Sequence, residues 1–175
     1  MKASEIQVGD WYYDGKQGLR EVTAETNHGE SKITYVAHSA KVIREGVWNG
    51  REMEYKSVLG VSSTVNFGSF LNWAKVRLTA EEGRALSLEL EAGRAKLSAG
   101  EKAFMAGVFK EAGALTEGAS VSFDHTEGRA TSGLAKKGLL KKDESSSGEV
   151  EITALGAGYL RVLAQSAQPA ASAVA

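Results

Sequence analysis

Hydrophobic and polar positions alternate along the first 78 residues in the way that short β-strands require. Ile33, Tyr35 and Ala37 are separated by single residues, so they would lie on one face of a strand. Turn-forming pairs interrupt the pattern, for example at Asp14-Gly15. The predicted strands are Gln7–Tyr13, Leu19–Glu25, Lys32–Val42 and Glu54–Val65. Short strands joined by tight turns favour a small, strongly bent sheet or barrel.

The apolar spacing changes to three and four residues at Ser69–Leu78, which predicts a helix that closes the β-region. Thr79 and Glu82 have the spacing of a capping box, so a second helix is predicted to begin there and to link the two halves of the chain. The apolar stripe of this region consists of Leu86, Leu90 and Leu97. It fits either packing between the halves or a homodimer interface.

A third helix is predicted from Ser98, with Glu101 again at the capping-box position and Gly113 at the end. Its inward residues are predicted to be Ala103, Phe104, Val108 and Phe109. From residue 114 to about residue 125 the pattern indicates a strand or a loop with at most one helical turn. A fourth helix is predicted at about residues 126–137, ending at Gly138.

Two strands, Leu139–Lys142 and Glu149–Thr153, are predicted to enclose the polar turn ESSSG at residues 144–148. Thr153 is a candidate N-cap for a last helix. The buried stripe of that helix is predicted to be Leu155, Tyr159, Leu160 and Leu163. The residues after about Gln165 are small and polar, so we expect a frayed tail.

The C-terminal part resembles winged helix-turn-helix proteins of the MarR-like kind and their short phage and prophage variants. The residues that carry the resemblance are Leu97-Ser98, Lys136-Lys137-Gly138-Leu139-Leu140 and Ile152-Thr153-Ala154-Leu155-Gly156. The resemblance covers about residues 97–163 and implies a domain that docks on duplex DNA. The chain departs from the family between Gly113 and Thr126, where the family has a full second helix.

The N-terminal part resembles the small SH3-like β modules of phage and prophage proteins, which have no single shared activity. The resemblance rests on Val8-Gly9-Asp10, Tyr12-Tyr13, Gly15-Lys16, Arg20-Glu21-Val22 and the Phe70, Trp73, Ala74 group. We therefore expect an α+β protein: a small SH3-like β barrel with a closing helix at 1–78, a linker helix at 79–96, a winged helix-turn-helix at 97–165 and a disordered tail at 166–175.

The net charge of −1, from 21 basic and 22 acidic residues, requires any nucleic-acid binding to come from a local patch. Such a patch is predicted on the fourth helix and the strand after it: Arg129, Lys136, Lys137, Lys141 and Lys142 would contact phosphates, and Thr131 and Ser132, facing outward, would approach base edges. The alternative is a solvated face neutralised by the nearby Asp124, Glu127, Asp143 and Glu144.

Several kinds of chemistry lack their sequence signatures. There is no cysteine, the histidines His28, His38 and His125 lie on separate segments, and neither a GxSxG nor a phosphate-loop motif occurs. We therefore expect a protein without enzymatic activity, cofactor or metal. No apolar run approaches 18 residues, so we expect a cytoplasmic protein with no membrane partner.

The sequence thus predicts a DNA-binding regulator, of phage or prophage type, that docks duplex DNA through its C-terminal part. The alternative is a protein-interaction module that inhibits or redirects a host protein. The contacts predicted for that alternative are Tyr12, Arg44 and Trp48. Most of the N-terminal aromatic residues are expected in the core, with Tyr12 as the most exposed of them.

Overall fold

The computed structural model describes residues 2–28, 30–38, 44–48, 53–57, 60, 62–142 and 148–167. The chain forms two compact units, Met1–Leu90 and Glu91–Ala175, and the mixture of helices and antiparallel sheets confirms the α+β class.

The strands are β1 (Trp11–Tyr13), β2 (Leu19–His28), β3 (Glu30–Ala37), β4 (Arg44–Trp48), β5 (Met53–Ser57), β6 (Ser62–Asn66), β7 (Val76–Leu78), β8 (Ser120–Ser122), β9 (Leu140–Lys142) and β10 (Glu149–Ile152). The helices are α1 (Phe67–Trp73), α2 (Ala80–Ala92), α3 (Ala99–Ala112), α4 (Gly128–Lys136) and α5 (Ala154–Ala167). Within these described residues, no helix has the length and apolar character needed to span a membrane.

The main sheet of the N-terminal unit is antiparallel, with the strand order β6-β3-β2-β1-β7. The predicted closed barrel is wrong, because among the described residues no hydrogen bonds join the edge strands β6 and β7. Two of the five strands, β1 and β7, contain only three residues each, and the sheet stays open. Strands β4 and β5 pair with each other as a separate two-stranded sheet.

Three N-terminal elements differ from the prediction. The closing helix ends at Trp73, and Val76–Leu78 pairs with β1 as an edge strand, with the backbone N–H of Lys75 donating to the carbonyl of Tyr13 at 2.9 Å. The single strand predicted at residues 54–65 is divided into β5 and β6. Gly60 lies between them with φ +72°, a conformation that suits glycine. Strand β4 was not predicted at all.

The core of the N-terminal unit surrounds Tyr12, Val22, Ile33 and Phe70. Tyr12 is fully buried, so its predicted exposure is wrong. Its hydroxyl satisfies two backbone groups, donating to the Glu5 carbonyl at 3.0 Å and accepting from the Gln7 N–H at 2.8 Å. The neighbouring Trp11, which points to the other face of the sheet, is 4% exposed. Both faces of β1 are therefore covered.

The C-terminal unit has the element order α3, β8, α4, β9, β10, α5, and its sheet has the order β8-β10-β9. Strand β8 lies in the segment where a strand or loop was predicted, and a turn at 125–127, not a helix, connects it to α4. The core includes the buried residues Leu97, Phe104, Met105, Val108, Leu134, Leu139, Val150, Ile152 and Leu160. Ala103, predicted to face inward, is exposed, since Glu101, Phe104 and Met105 occupy the inner face of α3.

The helix caps predicted at Thr79, Ser98 and Thr153 are present, whereas Ser69, a further candidate cap, lies inside α1, whose N-cap is Asn66. Ser98 and Glu101 form the capping box of α3, and Thr79 and Glu82 exchange the same pair of hydrogen bonds before α2. The Thr153 hydroxyl accepts from the N–H of Gly156 at 3.1 Å. Gly113 and Gly138, both with positive φ, follow the ends of α3 and α4. The tail was predicted to begin at residue 166, but α5 continues to Ala167. The residues from 168 onward, Asp143 and residues 144–147 of the predicted ESSSG turn lie outside the described residues.

Candidate nucleic-acid interface

Helix α4 presents two exposed cations, Arg129 and Lys136. They lie seven residues apart, which is close to two helical turns, so both are on the same face at a separation of roughly 10 Å along the axis. Within the described residues neither side chain forms an ion pair or a hydrogen bond. Their charges are therefore free to attract an anion.

A groove of about 700 Å³ lies beside this face, between α4 and the start of α3. Its lining is mostly small and polar: Ser98, Gly100, Glu101, Thr126, Arg129, Ala130, Ser132, Gly133 and Lys136. Both exposed cations of α4 belong to this lining. The cations at the edge of the groove favour an anionic partner.

Thr131 does not face outward, and that prediction is wrong. The residue is fully buried, on the inner face of α4 with Leu134, three positions further along the helix. Its hydroxyl donates to the Gly128 carbonyl at 3.2 Å. Ser132 is half-buried and donates to the same carbonyl at 2.7 Å, but it also lines the groove. Of the two candidates for base contacts, only Ser132 is placed at an accessible surface.

Lys137 is engaged within the C-terminal unit. Its ammonium group donates to the Glu101 carboxylate at 2.5 Å and to the Lys96 carbonyl at 2.8 Å. The hydrogen bond from Lys137 and that from the Ser98 N–H hold the pKa of Glu101 below its usual range. The pair therefore ties the end of α4 to the beginning of α3, and Lys137 is not a free cation.

Strand β9 carries two further exposed cations. Lys141 lies opposite Glu151 of β10, and the two charges are 3.5 Å apart with the lysine largely exposed, so the pair is a weak surface contact. Lys142 is exposed and forms no ion pair with any described residue. Both lysines precede the turn predicted at residues 144–148.

The acidic residues before α4, Asp124 and Glu127, form local hydrogen bonds. Asp124 accepts hydrogen bonds from the N–H and the hydroxyl of Thr126, which lower the pKa of its carboxyl. Glu127 accepts from the Asp124 N–H at 3.1 Å. Within the part of the chain that the structure describes, neither carboxylate forms an ion pair with Arg129 or Lys136.

The contacts of Glu101 were not predicted from sequence beyond its capping role. The glutamate and Lys137 lie 36 residues apart in the chain, and no local pattern indicates that they pair. Among the described residues, no cluster of three or more histidines and carboxylates that would hold a metal ion is found. The side chains of Arg44 and Trp48, predicted as protein contacts, lie outside the described residues, although their backbone forms β4.

The chain was compared with protein-family models, with curated proteins and with solved structures, and no match was found in any of the three.

Proposed function

We propose that the protein is a DNA-binding regulator whose C-terminal unit contacts duplex DNA through α4 and the β9–β10 hairpin. The observation that carries the proposal is the pair of exposed, unpaired cations Arg129 and Lys136 on one face of α4. The order of helices and strands in this unit, with an antiparallel hairpin directly after α4, also supports a winged-helix mode of docking.

In this proposal phosphate contacts supply most of the affinity. Arg129 and Lys136 lie two turns apart along α4, and Lys142 adds a further exposed cation on β9. Each lysine or arginine that neutralises a phosphate releases condensed counterions, so binding depends steeply on salt. Ser132 is the remaining candidate for a base contact, and one serine gives little discrimination between sequences. We therefore expect affinity for duplex DNA with a modest sequence preference.

The test is a fluorescence-anisotropy titration of a random-sequence duplex at about 50 and about 200 mM salt. Arg129→Glu and Lys136→Glu are each expected to weaken binding more than tenfold and to flatten its salt dependence by about one phosphate contact. Lys110→Glu is the matched control. Lys110 is exposed near the end of α3, and its substitution makes the same charge change outside the groove. An unchanged affinity in both α4 variants would contradict the proposal.

A protein-interaction module is the second proposal. The turn at 125–127 stands where a DNA-binding winged helix has a full helix, and the loss of that helix favours a different partner. This second function predicts no DNA binding even at low salt, and capture of a host protein that is insensitive to salt between about 50 and about 200 mM. The same titration therefore separates the two proposals.

A further inference from the structure

The N-terminal unit contains a pocket of about 380 Å³ between one face of its sheet and α2. We call it the Trp11 pocket, and its lining residues are Trp11, Glu21, His38, Arg84, Ser87 and Leu88. This volume lies within the range of pockets that bind small molecules. The pocket is independent of the proposed DNA interface, because all of its residues belong to Met1–Leu90.

Two stacked rings form a rigid part of this pocket. The centroids of the Trp11 and His38 rings are 4.0 Å apart, and the ring planes differ by 23°. A side chain at position 83 would collide with ring atoms of Trp11. Glycine at this position therefore allows α2 to approach the indole closely. Trp11 is therefore held between the His38 ring and the backbone of α2.

The orientation of His38 is also fixed. Its Nε2 lies 2.9 Å from Oε2 of Glu21, and because a carboxylate only accepts, the imidazole donates this hydrogen bond. The Ser87 hydroxyl donates to the backbone carbonyl of His38 at 3.4 Å, so α2 contacts the same residue. A ring held by a stack and a carboxylate presents a preorganised surface.

Two donors of the pocket lack partners. Arg84 is exposed and forms no ion pair or hydrogen bond with any described residue. Trp11 is 4% exposed, and its buried indole N–H has no hydrogen-bond partner among the described residues. The Glu21 carboxylate, in contrast, is already engaged by His38. Among the charged groups that line the pocket, Arg84 is thus the one without a counterpart within the described residues, and half-buried Leu88 adds an apolar wall.

We infer that the Trp11 pocket binds a small organic oxyanion on a flat, apolar body. Arg84 holds the carboxylate or phosphate group through charge-assisted hydrogen bonds, and the His38 ring and Leu88 contact the body. The volume limits the ligand to one or two rings. A free amino group on the ligand is not required by the arrangement, since Glu21 is bound to His38.

The test is an NMR titration of the full chain with benzoate and with phenyl phosphate, and with benzamide and benzylamine as the neutral and cationic counterparts. We expect one or both anions to shift the Trp11 indole signal and the amides of Ser87 and Leu88. The preferred anion distinguishes a carboxylate ligand from a phosphate ligand. Equal binding of benzamide or benzylamine, or no shift with either anion, would overturn the inference.

Arg84→Gln is the decisive variant, because the residue is exposed and its loss leaves the core intact. It is expected to weaken binding of the anion about tenfold or more, since the charge-assisted hydrogen bonds are removed. Lys16→Gln is the matched control: Lys16 is an exposed cation of the same unit outside the pocket. An equal loss in both variants, or shifts confined to Arg129 and Lys136, would show non-specific attraction to positive charge and refute the site.

Discussion

Glu101 joins three functions in one side chain. It caps α3 through Ser98, binds the ammonium group of Lys137 and borders the groove beside α4. The side chain is almost fully buried, and a buried carboxylate without partners is costly. Its hydrogen bonds offset that cost and lower its pKa. The stabilisation from Glu101 should consequently depend on its ionisation.

Replacement of Glu101 by Gln should destabilise the C-terminal unit by about 1 kcal/mol near neutral pH, because the hydrogen bonds lose their charge. A lowered pKa stabilises the folded state above the ordinary glutamate pKa, and that contribution disappears as the pH falls through the folded-state value. The difference between the two proteins should therefore be largest at neutral pH and smaller at an acidic pH below the ordinary glutamate pKa.

Urea denaturation at both pH values measures this effect. Glu111→Gln is the control, since Glu111 is exposed on the same helix and forms no ion pair within the described residues. A difference between the Glu101→Gln variant and the parent that persists unchanged in acid would mean that the ion pair is not its source.

Side-chain orientation is what the sequence predicted least well at this scale. Thr131 and Tyr12 were both expected at the surface, and both are fully buried with their hydroxyls bonded to backbone carbonyls. A polar atom on a side chain predicts exposure only if no backbone partner is near. The surroundings of Arg20 were not predicted either. Its guanidinium carbon lies 3.9 Å from the Trp73 ring centroid and 4.3 Å from the Tyr35 ring centroid. These residues are far apart in sequence, and no motif indicates that they meet.

Helix α5 approaches the backbone just before β9 at Gly156. A Cβ at Gly156 would collide with the backbone carbonyl oxygen of Leu139, at the start of the hairpin. The backbone cannot move aside as the end of a flexible side chain does. Close packing against this carbonyl thus explains the glycine at position 156.

Gly156→Ala should destabilise the protein by several kcal/mol, because the clash outweighs the helix propensity that alanine adds. Gly107→Ala provides the contrast within α3. A Cβ at position 107 would have no described atom within 4 Å other than those of its own helix backbone and its two neighbours in the chain. Alanine there should therefore stabilise the helix by up to about 1 kcal/mol. Thermal denaturation of both variants measures the difference, and a Gly156→Ala protein as stable as its parent would show that α5 does not pack as closely as described.

Elements with strong local signals were predicted best. The caps at Thr79, Ser98 and Thr153 and the glycine stops after α3 and α4 depend on residues within a few positions of each other, and the structure confirms them. Strand β7 was predicted as helix, because its pairing with Tyr13 lies far away in sequence. The strand order, and with it the open sheet, also depends on pairing between residues that are far apart in sequence.

Each of the two units has a hydrophobic core of its own, and the tryptophans report on only one of them. Trp11, Trp48 and Trp73 all lie in Met1–Leu90, so their fluorescence follows the N-terminal unit. Far-ultraviolet circular dichroism reports on the helices of both units, and three of the five described helices, α3, α4 and α5, belong to the C-terminal unit. A change seen by circular dichroism and not by tryptophan fluorescence therefore reports on the C-terminal unit.

Leu134→Ala should destabilise the C-terminal unit by about 2–5 kcal/mol, as is usual for truncation of a fully buried leucine. We expect the urea midpoint from circular dichroism to fall while the midpoint from tryptophan fluorescence stays in place. Ile33→Ala, at an equally buried position of the other core, should lower the fluorescence midpoint. Equal shifts of both signals in both variants would mean that the units unfold as one.

The contact between Gly83 and Trp11 makes two distant positions of the chain dependent on each other during evolution. Alanine at position 83 meets the indole ring, so that substitution is harmful while the tryptophan is present. With a smaller residue at position 11, the same alanine has room and strengthens α2. The order in which the two substitutions arise then decides whether a lineage survives the intermediate. Descendants of this sequence should accordingly change the two positions together or keep both.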